Sequence, residues 1–109
     1  MMNYLRTTER ITETIVPRDD EMQWIFVYFL QTITTERDEQ FYALRVDKLS
    51  RDGVLLEREE TCAFTDCRLE ALAMANAFAR GTVPPCVLLE MADEWAMQRS
   101  NAHTYHMAG

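Results

Sequence analysis

The stretch QWIFVYFLQTIT, residues 23–34, limits what this chain can fold into more than any other. It is β-branched and aromatic throughout and contains neither Gly nor Pro, so it reads as a strand. Successive side chains of a strand alternate between faces. Ile25, Val27 and Phe29 therefore share one face, and Trp24, Phe26, Tyr28 and Leu30 share the other. A strand that is apolar on both faces belongs inside a sheet, with something covering each side.

The flanking segments supply its neighbours. TERDEQ, 35–40, is a polar hairpin loop. FYALRVDKLS, 41–50, alternates, with Tyr42, Leu44 and Val46 toward a core and Arg45 and Asp47 away from it, so it reads as a strand buried on one face. The Asp52-Gly53 pair marks a tight turn, because Gly takes a positive φ without strain. VLLEREETCAF, 54–64, is then a third strand, whose charged middle suits a sheet edge. Upstream, ITETIV supports a candidate edge strand over 10–16, which Pro17 ends, and RDDE is a solvated connector.

At Thr65 the period changes from strand to helix. Thr65 or Asp66 can cap the first helix, since a side-chain oxygen there accepts from unpaired first-turn amides. The Ala- and Leu-rich run that follows places Leu69, Leu72, Ala75, Phe78 and Ala79 on one stripe. Gly81 sits where a left-handed residue closes a helix. Pro84 and Pro85 cannot continue that helix, but Pro is favoured at the start of another. A second helix is expected from about Pro85 to Gln98 or Arg99, burying Val87, Leu88, Met91, Ala92 and Trp95. Glu90, Asp93 and Glu94 then form a solvated stripe.

The expected fold is α+β: a three- or four-stranded antiparallel meander followed by two helices packed on one face. Residues 1–22 form an N-terminal extension, 23–99 the domain and 100–109 a tail without periodicity. At 109 residues the chain fits one domain, and 48% hydrophobic residues provide its core. The net charge of −7 and the absence of a basic tract argue against direct nucleic-acid binding. The longest apolar run is too short to span a bilayer, and no secretory signal opens the chain. Three Cys without closely spaced pairs make no disulfide framework, which points to a reduced, cytoplasmic setting.

Chemistry has three candidate sources. Cys67 and Cys86 stand in the first turns of the expected helices, where the helix dipole favours a thiolate. Neither has a base nearby in sequence, and Cys is more often a small apolar residue. Cys62, Cys67, His103 and His106 could supply four zinc ligands, but the strand-to-helix spacer AFTD does not resemble a zinc knuckle. Glu57 and Glu59 share a strand face, with Glu60 opposite, which suits solvation better than acid–base work. No phosphate loop, Ser-His-Asp pattern or HExxH is present. No catalytic residue, metal or cofactor is assigned.

The element order resembles small domains of unknown function found in clostridial-type bacterial genomes. The likeness covers residues 24–95 and is carried by FVYFLQT, FYALRVDKL, the Gly turn and VPPCVLLEMADEW, with Pro85, Leu88 and Asp93 in its ending. Such families have no assigned activity, so the resemblance implies neither a reaction nor a site.

What remains is surface. Two helices cover about one face of a small sheet, which leaves the other for a protein partner or a homodimer. The expected interaction residues are Trp24, Phe26 and Tyr28 on the aromatic strand face. Glu57, Glu59, Glu90, Asp93 and Glu94 are the alternative, on an acidic surface. The chain is thus expected to be a non-catalytic interaction or regulatory module. The competing expectation is an acidic inhibitor of a nucleic-acid enzyme, of the phage anti-defence type, that mimics nucleic acid.

Overall fold

The computed structural model describes residues 4–17 and 23–108, with side chains up to Gln98. Four strands form one antiparallel sheet: β1 Leu5–Val16, β2 Trp24–Thr34, β3 Gln40–Ser50 and β4 Leu55–Glu60. They lie in sequence order, β1-β2-β3-β4, as a meander. Helix α1 (Arg68–Arg80), a 3-10 turn (Pro85–Val87) and helix α2 (Leu88–Ala108) complete the α+β fold. The expected connector RDDE lies outside the described residues.

The doubly apolar run is indeed an inner strand, paired with β1 on one side and β3 on the other. The edge strand is longer than its apolar residues indicated. It begins at Leu5 and contains a bulge between Arg10 and Thr12. A bulge inserts one residue into the alternation. Ile11 thereby packs against the core, while Arg10 and Glu13 fall on the same face of the sheet. Without that insertion the two would point to opposite sides.

The β2–β3 and β3–β4 hairpins are built alike. Gly53 N–H donates to Ser50 C=O and Ser50 N–H to Val54 C=O, and Gly53 has φ +86°. At the other hairpin Asp38 N–H donates to Thr35 C=O and Thr35 N–H to Glu39 C=O. Asp38 there takes φ +63°. These are three-residue loops closed by a left-handed residue. One uses Gly and the other tolerates Asp.

The third expected strand is shorter than 54–64. Regular pairing stops at Glu60, after which Thr61 N–H bonds Leu44 C=O and Phe64 N–H bonds Tyr42 C=O. The chain thus stays tied to β3 while it turns toward α1. Thr65 acts two positions before the N-cap: its Oγ1 accepts from Cys67 N–H, and Cys67 occupies the N-cap without a side-chain bond.

Helix α1 buries Ala71, Met74, Ala75, Phe78 and Ala79. Ala71, Ala75 and Ala79 recur every four residues along one line, and their small size lets the helix lie close to the sheet. Leu69 does not join this stripe. It is 77% exposed, since it points away from the sheet at the helix's first turn. Gly81 is not the left-handed residue either. It keeps φ −84°, and Thr82 takes φ +55° instead. Thr82 N–H bonds Ala79 C=O and Val83 N–H bonds Phe78 C=O, the double closure of a Schellman motif. Val83 and Phe78 are both buried in the core, which supplies the apolar contact that accompanies this motif.

Leu88 is fully buried, and Val87, Met91, Ala92 and Trp95 pack on the core as the helical period required. Trp95 meets Phe78 edge to face, with ring centroids 6.1 Å apart. Helix α2 continues past Arg99 to Ala108, into the segment expected to be a tail. No Gly or Pro between Leu88 and Ala108 stops it.

Candidate interaction surface

Register divides the sheet into two faces. One carries Trp24, Phe26, Tyr28 and Leu30 with Tyr42, Leu44 and Val46, and these pack under the helices. Phe26 is 4% exposed and Tyr28 1%. The sequence-based assignment of Phe26 and Tyr28 to an interaction surface is therefore corrected: they are core. The Tyr28 hydroxyl donates to Val83 C=O at 2.8 Å, tying the sheet to the loop after α1. Burial raises the Tyr28 phenol to about 12, and a hydrogen bond with the Thr14 side chain opposes the shift. Trp24 is half-buried at the margin of this core. Its ring is capped by the Lys48 ammonium at 3.5 Å, so it is no free anchor.

The helices choose this face for a physical reason. Between β2 and β3 it aligns Tyr28 with Val46 and Leu30 with Leu44, two adjacent rows without charge, and Phe26 and Tyr42 extend the apolar patch on either side. The opposite face aligns Val27 and Phe29 with Asp47 and Arg45. Apolar helix stripes gain more on the first.

Among the described residues, no helix packs against the opposite face. From β1 to β4, one row reads Arg10, Phe29, Arg45, Glu60. The next reads Glu13, Val27, Asp47, Arg58, and the one after it Ile15, Ile25, Leu49, Leu55. Asp47 is only 4% exposed although it faces away from the helices. Arg58 grips it with both Nε and Nη2, at 2.8 and 2.9 Å. This pairing holds the Arg58 guanidinium above its usual range. Arg45 lies 3.3 Å from Asp47 and stacks over Phe29, 4.0 Å from the ring centre. Arg10 and Glu13 are ion-paired, and Arg6 reaches across the face from β1 to Glu60 of β4, at 3.4 Å. Gln31 is buried on this face as well, and its Oε1 accepts no hydrogen bond among the described residues.

The face is thus a charged centre flanked by apolar ends. At one end Ile15 and Leu55 are 56% and 45% exposed. At the other, a cleft of about 540 Å³ opens beside the β2–β3 hairpin, lined by Tyr4, Ile33, Phe41, Glu36, Arg37 and Glu39, among others. Charge is also partitioned. The strands of this face carry Arg6, Arg10, Arg45 and Arg58 against Glu13, Asp47 and Glu60, whereas the rest of the described side chains, the Glu36, Arg37 and Glu39 of the cleft included, have twelve carboxylates and five cations.

The remaining candidates are scattered. Glu57 pairs with Lys48 at 3.2 Å, and Glu59 Oε1 accepts from Glu60 N–H. Glu90, Asp93 and Glu94 are exposed on α2, as its period required. Cys62, Cys67 and Cys86 are free thiols at the surface. No group of three or more potential metal ligands occurs among the described residues, and the side chains of His103 and His106 lie outside them. No described helix is long and apolar enough to cross a membrane.

The sequence contained the signal for the helix-free face. Asp47 and Arg45 alternate with core residues on β3, and Val27 and Phe29 with core residues on β2. Only the register places those four beside one another. No family model, curated protein or solved structure matches the chain.

Proposed function

We propose that this protein is a non-catalytic interaction module of the cytoplasm and that the helix-free face of its sheet is the surface it uses. One observation carries the reading. A sheet face without a helix holds a carboxylate, Asp47, withdrawn from solvent among arginines, with apolar groups exposed at both ends. Partly exposed apolar patches with ordered polar groups between them are typical of docking surfaces. Long Arg side chains already lie along the face, so little rotamer freedom remains to be lost on binding.

The partition of charge favours a second reading. Carboxylate excess lies off the helix-free face, and Glu90, Asp93 and Glu94 project together from α2. Such a surface suits the basic groove of a nucleic-acid enzyme, which is the acidic-inhibitor reading. Capture from source cells separates the two when run with wild type, Leu55→Glu, and the triple variant Glu90→Gln, Asp93→Asn, Glu94→Gln. Loss of the captured protein with Leu55→Glu alone, at low and high salt, supports the sheet face. Loss with the triple variant alone, together with release by salt, supports acidic mimicry and sinks the first reading.

A further inference from the structure

The helix-free face is complementary to itself. The row Arg10–Phe29–Arg45–Glu60 lies next to the row Glu13–Val27–Asp47–Arg58. Column by column their charges are opposite: Arg10 with Glu13 on β1, Arg45 with Asp47 on β3, Glu60 with Arg58 on β4. On β2, Phe29 and Val27 are both apolar. The bulge at Ile11 creates the β1 column, because it brings residues three apart onto one face.

We infer that this face is covered by the same face of a second copy, in a two-fold sandwich of sheets. The inference rests on the reading of this face as the docking surface and names its occupant. The axis lies in the interface, across the strands and midway between the two rows. Rotation about it sets each row over the other row of the partner. Arg10 then faces a Glu13, Arg45 an Asp47, Glu60 an Arg58 and Phe29 a Val27. The Ile15–Ile25–Leu49–Leu55 row of one copy is carried over the Thr8–Gln31–Ala43 row of the other, one row short of the Ile33 and Phe41 that line the cleft. Aligned sheets pack in this way about 10 Å apart.

Two quantities support a copy of the chain as occupant. The first is charge. Molecules of net charge −7 repel one another over most of their surface, but the strands of this face carry four arginines against three carboxylates, and the cleft at its end adds Arg37 against Glu36 and Glu39. It is where two copies meet without repulsion, and symmetry supplies every complementary charge. The second is area. Strands of 11 residues at ~3.4 Å per residue and four strands at ~4.8 Å spacing give a face of roughly 600 Å², allowing for the short β4. The relief of the side chains raises this toward the ~800 Å² per partner of a stable interface.

The test exchanges charges between copies. Arg10 and Glu13 are exposed, so single reversals leave the fold intact. Arg10→Glu sets Glu over Glu twice in a homodimer, and Glu13→Arg sets Arg over Arg twice. In a mixed dimer of the two variants every contact is again of opposite sign. Sedimentation velocity on the full chain, from micromolar to millimolar, reads the outcome. Wild type is expected to dimerise as concentration rises. Each variant alone should associate at least ~10-fold more weakly, and their equimolar mixture should regain the dimer. Wild type that stays monomeric throughout overturns the inference, as does a mixture no more associated than its components. A monomeric wild type that still loses a captured protein through Leu55→Glu refutes the second copy alone and leaves the docking face standing. If neither effect appears, both fail.

Discussion

Asp47→Ala should be the most damaging single substitution on the helix-free face, and more damaging than removing the arginine that grips it. Asp47 is 4% exposed and accepts two short bonds from Arg58 while Arg45 lies 3.3 Å away. Deleting the carboxylate strands the Arg45 guanidinium, whose side chain is only 17% exposed, over the Phe29 ring. Breaking a buried pair by removing one partner costs about 3–5 kcal/mol. Arg58, with 42% of its side chain exposed, regains water, so the lower end applies, about 3 kcal/mol. Arg58→Ala should cost about 1 kcal/mol, because Asp47 keeps Arg45 beside it and the lost side chain was half in water. For a domain of this size 3 kcal/mol lowers Tm by roughly 15 °C. Urea unfolding followed by far-UV circular dichroism gives both values at low protein concentration. Equal costs for the two variants, or less than about 1 kcal/mol for Asp47→Ala, would refute the argument that Arg45 depends on that carboxylate.

Backbone strain yields two stabilising changes. Thr82→Gly should raise stability by about 1 kcal/mol in the same urea assay, since a β-branched residue is costly at φ +55° and Gly is not. Asp38→Gly should add about 0.5 kcal/mol by giving the β2–β3 hairpin the glycine that the β3–β4 hairpin already has at its left-handed position, whereas Gly53→Ala should lose stability. The Tyr28 phenol, raised to about 12 in the fold, makes stability fall with alkali. Its contribution is whole below pH ~10, where the unfolded phenol titrates, and is lost as pH rises through ~12. Tyr28→Phe should flatten stability across that window while costing about 1 kcal/mol at neutral pH, because Val83 C=O loses its donor. A thermal-melt series from pH 8 to about 12 checks it, against the tyrosine reference of about 10.

The meander, the two helices and the buried stripe of α2 were legible because each rests on a local period. What was not legible depends on relations between strands. Val27 and Phe29 are as apolar as Phe26 and Tyr28, so β2 alone does not say which face the helices take. The answer comes from β3, where Arg45 and Asp47 fall beside Phe29 and Val27. The length of the edge strand is hidden in the sequence because the bulge at Ile11 breaks the alternation of LRTTERITETIV. Thr82 escaped because Gly81, the better residue for positive φ, stands immediately before it. Leu69 misled because a helix stripe read from sequence does not show where the helix meets the sheet.

The most direct test of the docking face is hydroxyl-radical footprinting of the full chain, dilute and concentrated, read by peptide mass spectrometry. The account predicts that Phe41, Leu49 and Leu55 become protected as the protein associates, while Leu69 and Met97, exposed on the helical side, keep their reactivity. Protection of Leu69 and Met97 with Phe41, Leu49 and Leu55 unchanged would contradict it, and would put the working surface on the helices.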